Sequence, residues 1–265
     1  MDEDGADKGL APDGTIAREG AADRVAPVFA PVVEAARERI TAAYGDALHG
    51  VYLYGSIPRG TARPGRSDLD LMLVFHEPPT GADREAARRI EAELDAAFEQ
   101  IDGAGILLED AAAVRADPDD NGFFVACLCT PLLGADLADE LPAYRPTSLL
   151  ARETNGDLHL FPERWRAAAD GGEDPRAVVR RAARKTMRSA FTLVMPYWGG
   201  WTSDLERSAE IVARYHPRWT ADLRRTAAAA LDPVPDRGLL RMITDDLAPS
   251  VAEEYRRAHG VKTPR

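Results

Sequence analysis

Cysteine is nearly absent: Cys127 and Cys129 are the only two in 265 residues, too close together to staple distant parts of the chain. The rest of a zinc ligand set is missing as well, so both thiols are expected to pack in a helix. The five histidines (His49, His76, His159, His216 and His259) are scattered without metal-ligand spacing, and none is assigned a catalytic role. No apolar run approaches the roughly 18 residues that a membrane span requires. The acidic N-terminus does not show the basic, apolar and small-residue order of a signal peptide, so a soluble, cytoplasmic protein is expected. Basic residues are also in deficit, 33 Lys and Arg against 44 Asp and Glu, for a formal net charge of −11. An extended nucleic-acid interface needs the opposite sign, and nucleic acid is therefore not an expected partner. With no coiled-coil repeat and no long exposed strand to pair, a monomer is expected.

What is present is concentrated in residues 51–75, VYLYGSIPRGTARPGRSDLDLMLVF. An apolar strand from Val51 to Tyr54 runs into Gly55-Ser56, then a loop rich in Gly, Pro and Arg, then a second strand that opens Ser67-Asp68-Leu69-Asp70. Side chains alternate along a strand, so Asp68 and Asp70 share one face while Leu69, Leu71, Leu73 and Phe75 share the other. Two like charges side by side are costly unless a cation lies between them. Paired carboxylates are one way proteins hold Mg²⁺ on nucleotide phosphates. Glycine at position 55 allows close backbone approach to an anion, the hydroxyls of Ser56 and Ser67 are donors, and Arg59 offers a fork suited to phosphate.

Gly-Ser, a spacer of eleven residues, then Asp-x-Asp opening a strand together resemble the signature of the DNA polymerase beta-like nucleotidyltransferase superfamily, and the layout is most similar to the antibiotic (aminoglycoside-type) nucleotidyltransferases. That resemblance implies an α+β chain, with an N-terminal catalytic domain built on a small mixed sheet and an all-helical C-terminal domain. It implies ATP, or another nucleoside triphosphate, as co-substrate, and a third carboxylate on the next strand to complete the metal site.

Taken in order, residues 1–24 have almost no large apolar side chain and are expected to be a disordered leader. Pro31 suits the first turn of a helix whose apolar positions are Val33, Ala36, Ile40, Tyr44 and Leu48. Residues 82–100 form a second amphipathic pattern, with Ala86, Ile90, Leu94 and Phe98 inward, and 101–110 read as a third strand. Asp102 at its start is the expected third carboxylate, as the resemblance implies; Glu109 is the alternative, because Gly103 and Gly105 can host a bulge that resets strand parity. Phe123–Leu133 reads as a core helix stopped by Gly134. The catalytic domain is thus expected over 25–142 and the helical domain over 147–260, with Asp174-Pro175 and Ser203 to Glu206 as helix starts.

Arg176, Arg180, Arg181, Arg184, Lys185 and Arg188 follow one another with no acid between them. At 3.6 residues per turn Arg181, Lys185 and Arg188 share a face, and repulsion along such a stripe predicts an anion opposite. The partner is either the triphosphate or acidic side chains of the protein itself. The resemblance makes Lys185 or Arg188 the phosphate contact, in a cleft between the two domains. Trp165 reads as core, whereas Trp198 and Trp201, in the stretch PYWGGW, are expected in an interhelix loop that faces an acceptor.

The expected chemistry is Mg²⁺-dependent transfer of a nucleoside monophosphate, AMP from ATP by family expectation, to a hydroxyl of a small acceptor such as an aminoglycoside-like antibiotic or natural-product intermediate. Asp68, Asp70 and Asp102 are the metal and catalytic set, and Gly55, Ser56, Arg59, Ser67, Lys185 and Arg188 the nucleotide set. A protein- or tRNA-modifying transferase and a nucleotide-binding module without chemistry are the alternatives.

Overall fold

The computed structural model describes residues 8–262. The chain divides into two compact units, one spanning Ala17–Tyr144 and the other combining the residues up to Ile16 with the chain from Arg145 onward.

The first unit opens with α1 (Ala30–Tyr44), which has proline in its first turn and buries Val32, Val33, Ala36, Ile40 and Tyr44. Gly45, at φ +50°, ends it. Strand β1 (Leu48–Tyr54) is followed by the single turn α2 (Ser56–Arg59) and by β2 (Leu69–Phe75). Helix α3 (Gly81–Ala97) starts at a capping box in which Thr80 and Asp83 satisfy each other's backbone amides. Strand β3 (Ala104–Asp110), the short α4 (Ala111–Ala116) and β4 (Thr130–Gly134) complete the unit.

The sheet order is β3-β2-β1-β4, with β2 and β3 parallel and the other pairs antiparallel. Leu69, Leu71, Leu73 and Phe75 of β2, with Val51 and Leu53 of β1, pack with α1 and with Ile90 and Leu94 of α3 in one buried cluster. The exposed edge of β3 is blunted by α3: the amides of Ala104 and Ile106 donate to Asp95 and Glu91, each at 2.7 Å. The opposite sheet face is covered only in part. Met72, Val74 and Tyr52 are buried there with Val114, Val125 and Leu137, and the start of β2 extends past that cover.

Three expectations are corrected here. The segment read as one core helix over Phe123–Leu133 is instead a π-helical turn (Phe124–Leu128) followed by β4. Periodicity cannot separate a short apolar run into helix and strand, and pairing with β1 decides it; Pro131 is tolerated because β4 is an edge strand. The expected leader lies outside the described residues at 1–7, but residues 8–24 are ordered by tertiary contacts. Ile16 is buried, and Arg18 forms a two-pronged ion pair with Asp136 at 2.7 and 3.2 Å. A few backbone and charge contacts there offset the ordering entropy that composition alone left uncompensated. The cysteines are buried but lie outside any α-helix, Cys127 in the π-helical turn and Cys129 just before β4. Burial pushes the Cys127 thiol up to about 12 and that of Cys129 well above the ordinary range. Both are expected to be silent to a thiol reagent at pH 8 in the native protein and to react fully in urea, a difference read by absorbance; rapid native reaction would refute it.

The second unit is helical: α5 (Ser148–Asn155), α6 (Pro162–Asp170), α7 (Pro175–Trp198), α8 (Leu205–Tyr215), α9 (Thr220–Leu231), α10 (Arg237–Arg241) and α11 (Ala248–His259). Helix α7 is its axis, and α5, α8, α9 and α11 pack on it. Asp174 caps α7 as expected, accepting from the Arg176 amide at 3.1 Å, with Pro175 in the first turn. The cap of α8 is Asp204 instead of Ser203, accepting from the Arg207 amide at 2.8 Å. The tryptophans also differ from expectation. Trp198 belongs to α7, and both Trp198 and Trp201 are buried edge-on against Phe191, so neither indole forms an open wall. Tyr197 is the exposed ring of that stretch.

Among the described residues no helix is long and apolar enough to cross a membrane.

Candidate active site

Asp70 lies at the beginning of β2, with Asp68 just before the strand. Leu69 is fully buried on one face, while Asp68 and Asp70 on either side of it are only partly buried. Asp70 is paired across the sheet with Tyr54 of β1 and with Gly105 of β3. Register therefore puts a tyrosine on one side of this carboxylate and a residue without a side chain on the other. Tyr54 stacks edge-on against Phe124, with ring centroids 5.0 Å apart, which walls that side of the strand end.

Gly55 links β1 to α2 with φ +79° and ψ −151°, a conformation that L side chains rarely adopt. A Cβ on Gly55 would overlap Oδ2 of Asp70. The backbone of the Gly-Ser turn is thus seated directly against one of the two acids, and glycine is required there for space as well as for φ. Arg59 folds back on the same turn, its Nε donating to the Gly55 carbonyl at 2.9 Å and its Nη1 lying 3.7 Å from a carboxylate oxygen of Glu19.

The loop between α2 and β2 is held shape-first. Ser67 Oγ accepts from the Arg63 amide at 2.9 Å and the Ser67 amide donates to the Arg63 carbonyl at 3.0 Å. With its oxygen accepting, the hydroxyl proton of Ser67 points away from that bond. Gly65 donates to the Gln100 carbonyl at 2.8 Å and Asp102 to the Ser67 carbonyl at 3.0 Å, tying the loop to the entry of β3.

Asp102 is exposed and precedes β3 by two residues. Its backbone is adjacent to Ser67, but no group of three or more His, Cys, Asp or Glu side chains among the described residues is arranged to hold a metal ion. Within the strands, the parallel register puts Gly105 alongside Asp70, while Asp102 lies before β3 with its amide on the Ser67 carbonyl. Glu109 does not substitute for it. It pairs with Val74, four residues further along β2 than Asp70, and Asp110 caps α4 by accepting from the Ala113 amide at 2.8 Å. Paired carboxylates such as Asp68 and Asp70 suit Mg²⁺, which completes its oxygen shell with water and substrate phosphate.

The basic stripe on α7 is engaged largely within its own unit. Arg181 pairs with Glu173, Arg176 and Arg184 donate to the carbonyls of Pro233 and Ala230, and Lys185 lies 2.6 Å from Asp157 and over the Phe161 ring. Arg188 is exposed on the same helix. Protein carboxylates and carbonyls thus supply much of the negative charge that the spacing of these residues predicted.

Residues 34–103, from within α1 to the entry of β3, match the family model of the nucleotidyltransferase domain. The chain carries a nucleotidyltransferase domain. The match encloses Gly55, Ser56, Asp68, Asp70 and Asp102. No curated protein sequence matches the chain. Among solved structures it is similar to spectinomycin adenyltransferase AAD(9) from Enterococcus faecialis, determined with ATP and spectinomycin, with a TM-score of 0.56 and 14% sequence identity. That likeness covers 85% of this chain and 98% of the other. The α+β layout, a nucleotidyltransferase domain followed by a helical region, is thus shared with an antibiotic nucleotidyltransferase.

Sequence reasoning missed Glu19, Tyr54 and Phe124 at this site. Tyr54 was legible in principle from its position just before Gly55 on β1. Glu19 and Phe124 are far from the motif in sequence and carried no signal.

Proposed function

We propose that the protein transfers a nucleoside monophosphate, AMP from ATP, to a hydroxyl of a small acceptor of the aminoglycoside or spectinomycin type, releasing pyrophosphate. The observation that carries this reading is Asp70 at the open end of β2, seated against the Gly55 turn, with Asp68 just before the strand. The two carboxylates fit Mg²⁺, which when bound neutralises charge on the triphosphate and makes the pyrophosphate a better leaving group. Ser56, Ser67 and Arg59 bind phosphate oxygens and fix the α-phosphorus in line with the acceptor. As the acceptor oxygen bonds to that phosphorus and the bridging bond to the β-phosphate breaks, Asp102 takes the hydroxyl proton; its exposure suits a base that must reach an incoming substrate. Asp68, Asp70, Asp102, Ser56, Ser67 and Arg59 all belong to the Ala17–Tyr144 unit.

The shared layout with an antibiotic adenyltransferase supports a small acceptor over a protein or tRNA. Net acidity points the same way against tRNA. The test is pyrophosphate release from each nucleoside triphosphate with Mg²⁺, in the presence of spectinomycin, aminoglycosides, a protein mixture or tRNA. Release that depends on a small hydroxylated compound is expected. Release that depends only on protein or tRNA would transfer the proposal to a macromolecular target, and no release or nucleotide binding under any condition would refute it.

A further inference from the structure

Residues 17–25 lie across the single turn α2 and tie it to the far side of the unit. The Ala21 amide donates to the Pro58 carbonyl at 2.9 Å, and the Glu19 amide donates to the Cys127 carbonyl at 2.9 Å. Arg18 donates to the Ala126 carbonyl at 3.1 Å besides gripping Asp136. Gly20 is wedged so tightly that a Cβ there would meet Thr130 and Pro58. The strap therefore has a fixed place, and it presents Glu19 to Arg59 with only 16% of the Glu19 side chain exposed. A carboxylate this sheltered, 3.7 Å from a guanidinium, is screened less by water and salt than a surface pair.

Arg59 is the link that matters. Its Nε holds the Gly55 carbonyl at 2.9 Å, and Gly55 in turn is in contact with the Asp70 carboxylate. Glu19, Arg59, Gly55 and Asp70 form a continuous chain from the strap to the candidate metal ligand. A four-residue turn has too few internal hydrogen bonds to hold its own shape, so an external clamp decides how well ordered it is. We propose that Glu19 is a positioning residue that, through Arg59, holds the Gly55–Gly60 turn in the conformation that receives the nucleotide phosphates. This role rests on the nucleotidyl-transfer reading above for its consequence, though not for its structural half.

The experiment compares the intact protein with Glu19→Ala and the isosteric Glu19→Gln. Amide hydrogen exchange is read over residues 55–61 without ligand, and KM for the nucleotide and kcat are read with it. Because local opening sets exchange, Glu19→Ala is expected to speed exchange of this segment about 10-fold while leaving that of β2 unchanged. It is expected to raise KM for the nucleotide about 5-fold with kcat within about twofold, the pattern of weakened ground-state binding. Glu19→Gln, which keeps length and an acceptor oxygen but not charge, is expected to lie between. Unchanged exchange over 55–61 in Glu19→Ala overturns the proposal, and so does faster exchange with an unaltered KM. Global loosening, with β2 exchanging as fast as the turn in both variants, also overturns it, since the clamp is then merely structural. Failure of the nucleotidyl-transfer reading shows separately, as a wild-type protein that binds no nucleotide.

Discussion

Asp70→Asn is expected to lower Mg²⁺-dependent pyrophosphate release by at least about a thousandfold, equivalent to roughly 4 kcal/mol of transition-state stabilisation. The substitution changes one oxygen to an amide and removes one negative charge, with the shape of the side chain retained. Asp70 lies between Tyr54 and Gly105 and touches Gly55, so the asparagine fits the same space and the fold is expected to survive. The loss therefore measures charge at the proposed metal site. In the proposed site, removing one of the two paired acids weakens the hold on the ion, and supplying more Mg²⁺ is expected to recover only part of the activity. Asp68→Asn is expected to behave alike. The measurement is the initial rate at two Mg²⁺ concentrations, together with a thermal melt to confirm folding. A variant of either acid that retains full activity would remove the metal assignment.

Gly55→Ala is expected to cost at least about a hundredfold in kcat/KM, nearly 3 kcal/mol, although it adds one methyl group. Two independent penalties fall on that methyl. At φ +79° an L residue is strained by about 1–3 kcal/mol, and its Cβ would overlap Asp70 Oδ2. The carboxylate must then move, or the turn must, and either shift displaces a group that the reaction needs in place. Gly45→Ala supplies the control. Gly45 has φ +50° but nothing within 4 Å of an added Cβ, so it carries the backbone strain without the overlap. Its activity is expected to remain close to that of the unaltered protein, with a small decrease in Tm. Equal losses of activity in the two variants would show that strain alone is responsible and that the seat of Gly55 on Asp70 is immaterial.

Both predictions depend on local order, and here sequence and structure contribute differently. The strand and turn framework of residues 51–75 was legible because its signals are local: alternation for β2, glycine for the turn and, earlier in the chain, proline for the start of α1, whereas Leu48, read with that helix, instead begins β1. The split of faces along β2 follows from strand geometry alone, and the structure has Leu69, Leu71 and Leu73 buried with Asp70 on the other side. The segment from Phe123 to Gly134 was not legible. A run of eleven mostly apolar residues satisfies either helix or strand, and only its pairing with β1 selects the strand.

The strap at residues 17–25 and the fate of the indoles belong to the same class. A stretch with few apolar residues looks unstructured until Arg18 finds Asp136, more than a hundred positions away. Trp198 and Trp201, drawn to a loop by the neighbouring glycines, are instead taken into the core by Phe191.

By itself, then, the amino-acid order determined the α+β division, the Gly-Ser turn and the position of Asp70 on the face of β2 opposite its leucines, because each of these depends on local signals. Only the tertiary structure decided that Gly105 lies beside Asp70 in the sheet, that Lys185 pairs with Asp157, and that Glu19 reaches Arg59. Those outcomes are set by register and by packing between distant segments, and a contact that no local spacing encodes becomes visible only when the chain has closed on itself.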